Sequence, residues 1–490
     1  MKKFIMFFLM SALLFAGCAT KNEKTINKAS KNLVTYTINA EYSDDHTLAV
    51  NQTINYINKD NSLHDKLVFH LYPNSFGENV ANKPVSSLHY DRAYPNGFSP
   101  GGISMSKVMQ NGDEVQYSVT GVDNDFLEIK LSGSLAPDDK CILTFEYVVT
   151  LPNCLHRFGY GDNTINLANF YPILCMYENG GWIMQGYHSN GDPFYSNIAN
   201  YNVTISYPSK YVLANTGYVV KSTHESDVTT DVLQAKAVRD FAMVLSDKFS
   251  VIEGKAGDVQ VKYYYYNDDH AKESLQAGID SINTFSRTFG AYPYPTFSVV
   301  KCNFIHGGME YPNLVYISDD VQGKADYINV IVHETAHQWW YGLIGSDAYR
   351  YAWLDEGLTD YSCAVFYRAN PSYGVEYDKL MATTLDNYHT FMDIYSKVLG
   401  RVDTSMNRHV CDYASEAEYV YLTYVKGALL FDNISQVIGY NKLIKVLATY
   451  FEKYKFGNVT PNEFIQTLEK VSKRQMRGYV NSWLEGKVMI

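Results

Sequence analysis

An all-β half followed by a mainly helical α+β half is the architecture that this 490-residue sequence predicts. Three observations carry that expectation. Short alternating apolar and polar runs, broken by turn residues, fill the stretch from Asn32 to Phe249, where helical periodicity is nearly absent. The 43 tyrosines lie largely in extended-looking segments and suit a pleated surface. From Ala325 onward the pattern becomes helical, and a chain of this length suits two or three domains better than one core.

The first element is a targeting segment. In "MKKFIMFFLMSALLFAGCAT" two lysines precede an apolar run from Phe4 to Ala16, too short to span a bilayer, and small residues follow. Residues 1–17 therefore read as an export signal. "FAGC" resembles a bacterial lipobox with Cys18 as the lipidated residue, so the expected address is the extracytoplasmic face of the cell membrane. Phe15, unusual three places before that cysteine, leaves ordinary cleavage and secretion as the alternative. Residues 18–32, with the polar "TKNEKTINKASKN", read as a flexible tether.

Residues 33–252 form the expected N-terminal domain, a β-sandwich or saddle-like sheet. "LVTYTINAEY", "LAVNQTINYIN", "KLVFHLYPN", "CILTFEYVVTL", "YNVTISYP" and "DFAMVLSD" are its strands, and "NKPVSSLHYDRAYPNGFSPGG" is a loop-like insert. Residues 253–490 form the second domain. Its early elements are "VQVKYYYYN", the amphipathic "DHAKESLQAGIDSINTFSRTFG" closed by Gly290, and the strand "TFSVVKCNF".

Composition narrows the function. With 46% apolar and 19% charged residues the chain is a folded protein, and a net charge of −11 without a basic run excludes nucleic acid as a partner. Cys141, Cys154, Cys175, Cys302, Cys363 and Cys411 form no CxxC pair, and scattered thiols are favoured over any assignable disulfide.

The chemistry concentrates in "VIVHETAHQWWYGLIG", residues 330–345. His333 and His337 are one helical turn apart and leave the same face, a spacing suited to a shared zinc ion. Glu334 points about 100° away around the helix, within reach of a water on the ion. Catalytic zinc takes three protein ligands, and "YAWLDEGLTDYSCAVFYRA" (351–369), read as a second buried helix, presents Glu356 as the third. Asp360, one turn further, is weighed as a partner of a ligand histidine against a solvated helix charge.

His333, Glu334, His337 and Glu356 together resemble the gluzincin pattern of the aminopeptidase N family, which also contains leukotriene A4 hydrolase. "GGMEYP" (307–312) is similar to the family's Gly-x-Met-Glu-Asn signature, and "YVKGALLF" (424–431) to the segment carrying its catalytic tyrosine. "FGAYPYP" and "NSWLEG" fall in the family's order. The resemblance spans about residues 35 to 490. It implies a thermolysin-like catalytic domain and one zinc ion held by His333, His337 and Glu356. It makes Glu334 the general base and Tyr424 the donor to the oxyanion. It implies that Glu310 holds the free α-ammonium of a peptide, with Gly307, Gly308 and Met309 along the substrate's path.

Departures bear on the details. Tyr311 stands where asparagine is common, and Asp355 precedes the third ligand where asparagine is frequent. The sequence stops soon after "WLEG", so the large helical domain that closes the chamber in many members is not expected. The site is then expected to be open, or covered by the N-terminal domain or a second subunit. His306 is read as a loop histidine beside the pocket. The leading expectation is a zinc aminopeptidase. A zinc endopeptidase, in which Glu310 is structural, and a non-catalytic peptide-binding lipoprotein are the alternatives.

Overall fold

The structure is a computed structural model that describes residues 21–400, 402–488 and 490. The export signal and Cys18 lie outside the described residues.

The N-terminal domain is built on an eight-stranded sheet. Its strands run in spatial order Tyr218–Glu225, Val228–Val238, Ala199–Pro208, Thr35–Ser43, Thr47–Ile57, Lys140–Thr150, Gly102–Gln110 and Asp113–Glu114. Alternation drives the arrangement. In Thr47–Ile57 the side chains of Leu48, Val50, Gln52 and Ile54 are buried while Ala49, Asn51 and Asn55 face solvent. Thr47–Ile57 pairs antiparallel with Lys140–Thr150 over eleven residue pairs, and Thr35–Ser43 pairs parallel with Ala199–Pro208. Among the described residues two four-stranded sheets, one around Ala242–Ser246 and Ile165–Ala168 and the other around His64–His70 and Phe126–Leu135, and a short two-stranded ribbon, Tyr177–Glu178 with Gly181–Trp182, complete the domain. Every strand segment read from the sequence is present. The insert is mostly irregular, with one short helix at Tyr90–Ala93.

The tether expectation is corrected. Lys21–Ala29 is a helix docked on the sheet face beside Val228–Val238, not a free linker. Ile26 is buried, Asn22 donates to the Tyr292 carbonyl at 3.2 Å, and Asn200 donates to the Ser30 carbonyl at 3.0 Å. A single apolar residue on one face, backed by side chains that bond the body of the protein, is enough to dock a segment that looks uniformly polar in composition.

The second domain begins with a five-stranded sheet in the order Ser250–Ala256, Val259–Tyr265, Thr296–Cys302, Leu314–Ser318 and Gly308–Met309. The first strand already spans residue 252, so the sheet of the second domain starts at Ser250. Helix Ala271–Thr288 lies on this sheet, and its Gly278 sits over Val299 and Val261. The remainder is mainly helical, led by Lys324–His337, Leu358–Ala369, Tyr377–Leu399, Lys426–Ile438 and Tyr440–Tyr454, with a short parallel strand pair, Ile344–Ser346 and Gly457–Val459.

The two domains are clamped together by buried Arg239. It donates from Nε to the Tyr341 carbonyl at 2.9 Å, from Nη1 to Asn458 Oδ1 at 2.6 Å and from Nη2 to the Gly457 carbonyl at 3.1 Å. A guanidinium taken out of water requires such saturation, and breaking it would leave an uncompensated buried charge. All six described cysteines are free thiols, five buried and Cys411 exposed.

Candidate metal centre and peptide cleft

Helix Lys324–His337 starts after Gly323, whose φ of +85° lets the chain turn sharply out of the preceding loop. It ends at His337, where a π-helical turn, Gln338–Leu343, takes over. The segment 351–369 is not one continuous helix, as the sequence suggested. Tyr351 breaks the helical dihedrals, a π-helical turn covers Trp353–Gly357, and only then does helix Leu358–Ala369 begin. Glu356 is carried by that turn. π-Turns widen the helix locally and re-aim the side chains they carry.

The sequence-predicted donors converge. His337 Nε2 lies 3.1 Å from His333 Nε2 and 3.1 Å from Glu356 Oε2, and His333 Nε2 lies 3.3 Å from the same oxygen. Each imidazole is backed by a carboxylate on its other nitrogen, His333 Nδ1 by Asp360 Oδ1 at 2.8 Å and His337 Nδ1 by Asp355 Oδ1 at 2.8 Å. With Nδ1–H donated outward, the two Nε2 lone pairs face one another and the Glu356 oxygen. Three lone-pair donors in contact repel unless a cation sits between them. Tetrahedral zinc with ligand bonds of roughly 2.0–2.1 Å places its donors about 3.3–3.4 Å apart, and the three separations here match that edge within a few tenths of an ångström. The residues fit a divalent ion such as zinc.

Electrostatics agree. Burial alone would make both imidazoles less basic, but Asp360, Cys363 and Glu356 around His333, and Glu356 and Asp355 around His337, reverse the sign and raise both pKa values. The spot favours positive charge. Asp360, undecided from sequence, is an orienting partner, and so is Asp355.

Around the centre lies a cleft of about 280 Å³. Glu334 lines it, 5% exposed, with Oε2 lacking a hydrogen-bond partner among the described residues. Desolvation pushes its pKa up to about 7 against the pull of His333 and His337. Glycine at 308 is needed for this placement, since a Cβ there would fall 2.6 Å from Glu334 Cδ. Gly308–Met309 is the edge strand of the five-stranded sheet and pairs only with Leu314–Ser318 among the described residues. Its outer edge is open to an extended chain. Gly307 and Gly308 line the cleft as expected. Met309 is corrected: its side chain is buried in the core and does not line the cleft. On a strand, neighbouring side chains alternate faces, so one beside a cleft-facing residue turns inward.

Glu310 lines the cleft, is 3% exposed, and its Oε1 has no partner among the described residues. Burial first, then the charge of Asp192, raises its pKa well above the ordinary carboxylate value. Gln338, at the end of the donor helix, fixes this loop by donating to the Tyr311 carbonyl at 3.1 Å and accepting from Asn313 N at 2.9 Å. Tyr311 points away from the cleft and donates to Asn169 Oδ1 at 2.9 Å across the domain boundary. Tyr424 sits in a third π-turn, Tyr421–Val425. Its ring stacks on His333 at 5.8 Å and 9°, and its hydroxyl pairs with Glu356. Burial, then the charge of Glu356, keeps the phenol protonated and therefore a donor.

The far wall belongs to the N-terminal domain, and sequence reasoning missed it. Arg157 and Asp192 line the cleft as an ion pair, with the guanidinium over Phe194 at 4.9 Å. Ser189, Asn190 and Gly191 lie on the same loop. The residues come from irregular backbone far from the helical motif, and no local pattern marks them. His306 also lines the cleft, in edge contact with His89 and His156, and desolvation with Arg157 nearby lowers its pKa to about 3.

Comparisons with known proteins agree with this architecture. Residues 273–483 match the family model for the peptidase family M1 domain. The rice protein "Aminopeptidase M1-D" (Oryza sativa subsp. japonica) is 24% identical over 308 residues, covering 58% of this chain and 34% of that protein. The yeast "Aminopeptidase 2, mitochondrial" (Saccharomyces cerevisiae) is 27% identical over 252 residues, covering 47% of this chain and 25% of that protein. The chain thus spans about a third or less of these curated relatives. Among solved structures, an M1 zinc metallopeptidase from Deinococcus radiodurans superposes with a TM-score of 0.66 at 15% identity, covering 94% of this chain and 96% of that one. A point mutant of that metallopeptidase, bound to a tyrosyl-seryl-alanine substrate, superposes with a TM-score of 0.64 at 14% identity, over 94% and 96% of the two chains.

Proposed function

The helical half of this chain is a peptidase M1 domain, which places the chain in the gluzincin aminopeptidase family, and from that premise we propose that it is a zinc aminopeptidase. The observation that carries the reading is the joint occupancy of one cleft by a three-donor cation site, an unpartnered Glu334 and an unpartnered Glu310. His333, His337 and Glu356 would hold the zinc, which when bound supplies a Lewis acid that acidifies water and polarises a carbonyl.

The chain's own groups do the rest. The buried Glu310 carboxylate accepts the α-ammonium of a peptide, which relieves its unpaired burial and limits cutting to the first peptide bond. The open edge at Gly308–Met309 takes the extended backbone. Glu334, held partly basic by desolvation, takes a proton from the attacking water and returns it to the leaving amine. The Tyr424 hydroxyl donates to the oxygen that gains charge as the carbonyl carbon becomes tetrahedral. The N-terminal wall at Arg157 and Asp192 excludes water from the face opposite the donor helix.

The test pairs amino-acid anilides bearing free and blocked α-amines. Glu334→Gln is expected to lower kcat about 10³–10⁴-fold with zinc retained. Glu310→Ala is expected to lose about a hundredfold on free-amine substrates and little on blocked ones, since it deletes a charge-assisted contact. Equal wild-type cleavage of both substrate types would sink the exopeptidase reading.

The sequence of residues 1–20 further supports export and lipid anchoring through Cys18, with peptides outside the cytoplasm as substrates. Cys18→Ala should then shift the protein from the membrane to the soluble fraction. An unchanged distribution would count against the anchor.

A further inference from the structure

Tyr424 reaches the donor centre from a segment remote in sequence, and something must fix its distance. Stacking on His333 and the hydroxyl contact with Glu356 orient the ring, while the distance of its backbone from the centre is left to packing. Its turn, Tyr421–Val425, runs into helix Lys426–Ile438, and that helix crosses the turn that carries Glu356. The crossing is made by two glycines. A Cβ placed on Gly357 would lie 2.6 Å from the Cα of Gly427 and 2.8 Å from the Thr423 carbonyl oxygen. One placed on Gly427 would lie 2.7 Å from the Cα of Gly357. Side-chain carbons are essentially never found closer than 3.0 Å, so the two backbones touch where any other residue pair would hold them apart.

Backbone conformation does not explain these glycines. Gly357 has φ −65° and ψ −35°, ordinary right-handed helical values open to every residue, and Gly427 is absent from the positive-φ positions. Glycine inside a helical run costs about 1 kcal/mol relative to alanine, so the gain has to come from the close approach. What that approach joins is specific. Gly357 directly follows the ligand Glu356, and Gly427 stands one turn after Tyr424, on the same side of its helix. The contact therefore joins the backbone beside a donor of the metal centre to the backbone that carries the phenol.

We propose that Gly357 and Gly427 are positioning residues that set how far the Tyr424 hydroxyl reaches toward the reacting carbonyl. The proposal rests on the reading of Tyr424 as the oxyanion donor. Relieving an alanine methyl to ordinary carbon contact of about 3.5–4.0 Å requires the segments to part by about 1 Å. A misplacement of about 1 Å is enough to cost on the order of a hundredfold in rate.

The experiment uses the zinc-loaded full chain and a free-amine anilide. Gly427→Ala and, separately, Gly357→Ala are expected to lower kcat about 30- to 100-fold, keep one zinc per chain, and leave KM within about threefold. In a Tyr424→Phe background the same alanine is expected to change kcat less than about twofold, because the group it misplaces is already gone. Wild-type kcat in both variants would overturn the proposal. So would an undiminished loss in the Tyr424→Phe background, since the pair would then act through something other than the phenol. Loss of zinc or of cooperative unfolding in both variants would overturn it too, by making the crossing a requirement of the fold. A zinc-loaded wild type inert on free and blocked substrates alike would overturn the peptidase reading itself, a result distinct from all three.

Discussion

Two pairs of histidines, one in each domain, behave in opposite ways, although only His333 of the four is more than a few per cent exposed. His70 and His156 in the N-terminal domain are 4% and 1% exposed, and His337 in the metal centre is equally buried at 1%. His70 stacks on Tyr72 at 4.6 Å, and desolvation pushes its pKa down to about 3. His156 lies among Phe76, Tyr187 and Phe304, neither ring nitrogen has a partner among the described residues, and burial holds it well below its usual range. His333 and His337 meet the same desolvation, yet Asp360, Asp355 and Glu356 raise both. Burial decides whether an imidazole is cheap to charge, and a backing carboxylate reverses that decision. Here the two imidazoles of the cation site are the ones backed by carboxylates on their outer nitrogens, whereas His70 and His156 have no such backing.

Removing the anchors should turn the second kind of histidine into the first. Asp355→Ala leaves His337 Nδ1 with Thr359 Oγ1 at 3.1 Å but no charge behind it. Zinc affinity is expected to fall about a hundredfold, at the upper end for a carboxylate that orients a ligand histidine. Asp360→Ala should cost about tenfold, because that carboxylate is 31% exposed and already screened, whereas Asp355 is 3% exposed. Zinc dissociation constants from chelator competition would rank the two. An Asp355→Ala protein that binds zinc as tightly as wild type would erase the distinction between the two pairs.

The same contrast explains what could be read from the sequence. The donor set was legible because helical periodicity forces His333 and His337 onto one face and because Glu356 follows 19 residues after His337 in a largely apolar segment. The backing carboxylates Asp355 and Asp360 sit beside those residues and were in view, though their direction was not, since it depends on the π-turn at Trp353–Gly357. No propensity marks a π-turn, which arises where packing displaces one residue from the helical ladder. The strand pattern of the N-terminal domain was legible from alternation. Its cleft wall was not, because Arg157 and Asp192 are brought in by irregular backbone whose path is set by tertiary contacts. Helix Lys21–Ala29 was missed for a related reason, as its docking rests on Ile26 and on hydrogen bonds to Tyr292 and Asn200 from distant segments. Met309 was misplaced by a motif carried over whole, when strand alternation already separates its side chain from Gly308.

The smallest effect tests the N-terminal pair through pH. Above about pH 6.5 His70 is neutral both folded and unfolded, so it adds no pH dependence there. Below that value the unfolded chain takes up a proton that the folded chain refuses until about pH 3, so the folded state loses stability as pH falls across that window. The slope is at most about 1.4 kcal/mol per pH unit for each such histidine, or about 2 kcal/mol between pH 6.5 and 5. His156 runs in the same direction from the same cause. Carboxylates and the metal centre titrate as well, so the measurement has to be a difference. His70→Phe keeps an aromatic ring against Tyr72 and removes the titration. Its stability relative to wild type, from denaturant melts of zinc-loaded protein, should stay level from pH 7.5 to about 6.5 and improve steadily from there to pH 5. A difference that stayed flat would mean that the folded chain accepts the proton at His70, and burial without a carboxylate would then not keep an imidazole neutral in this fold.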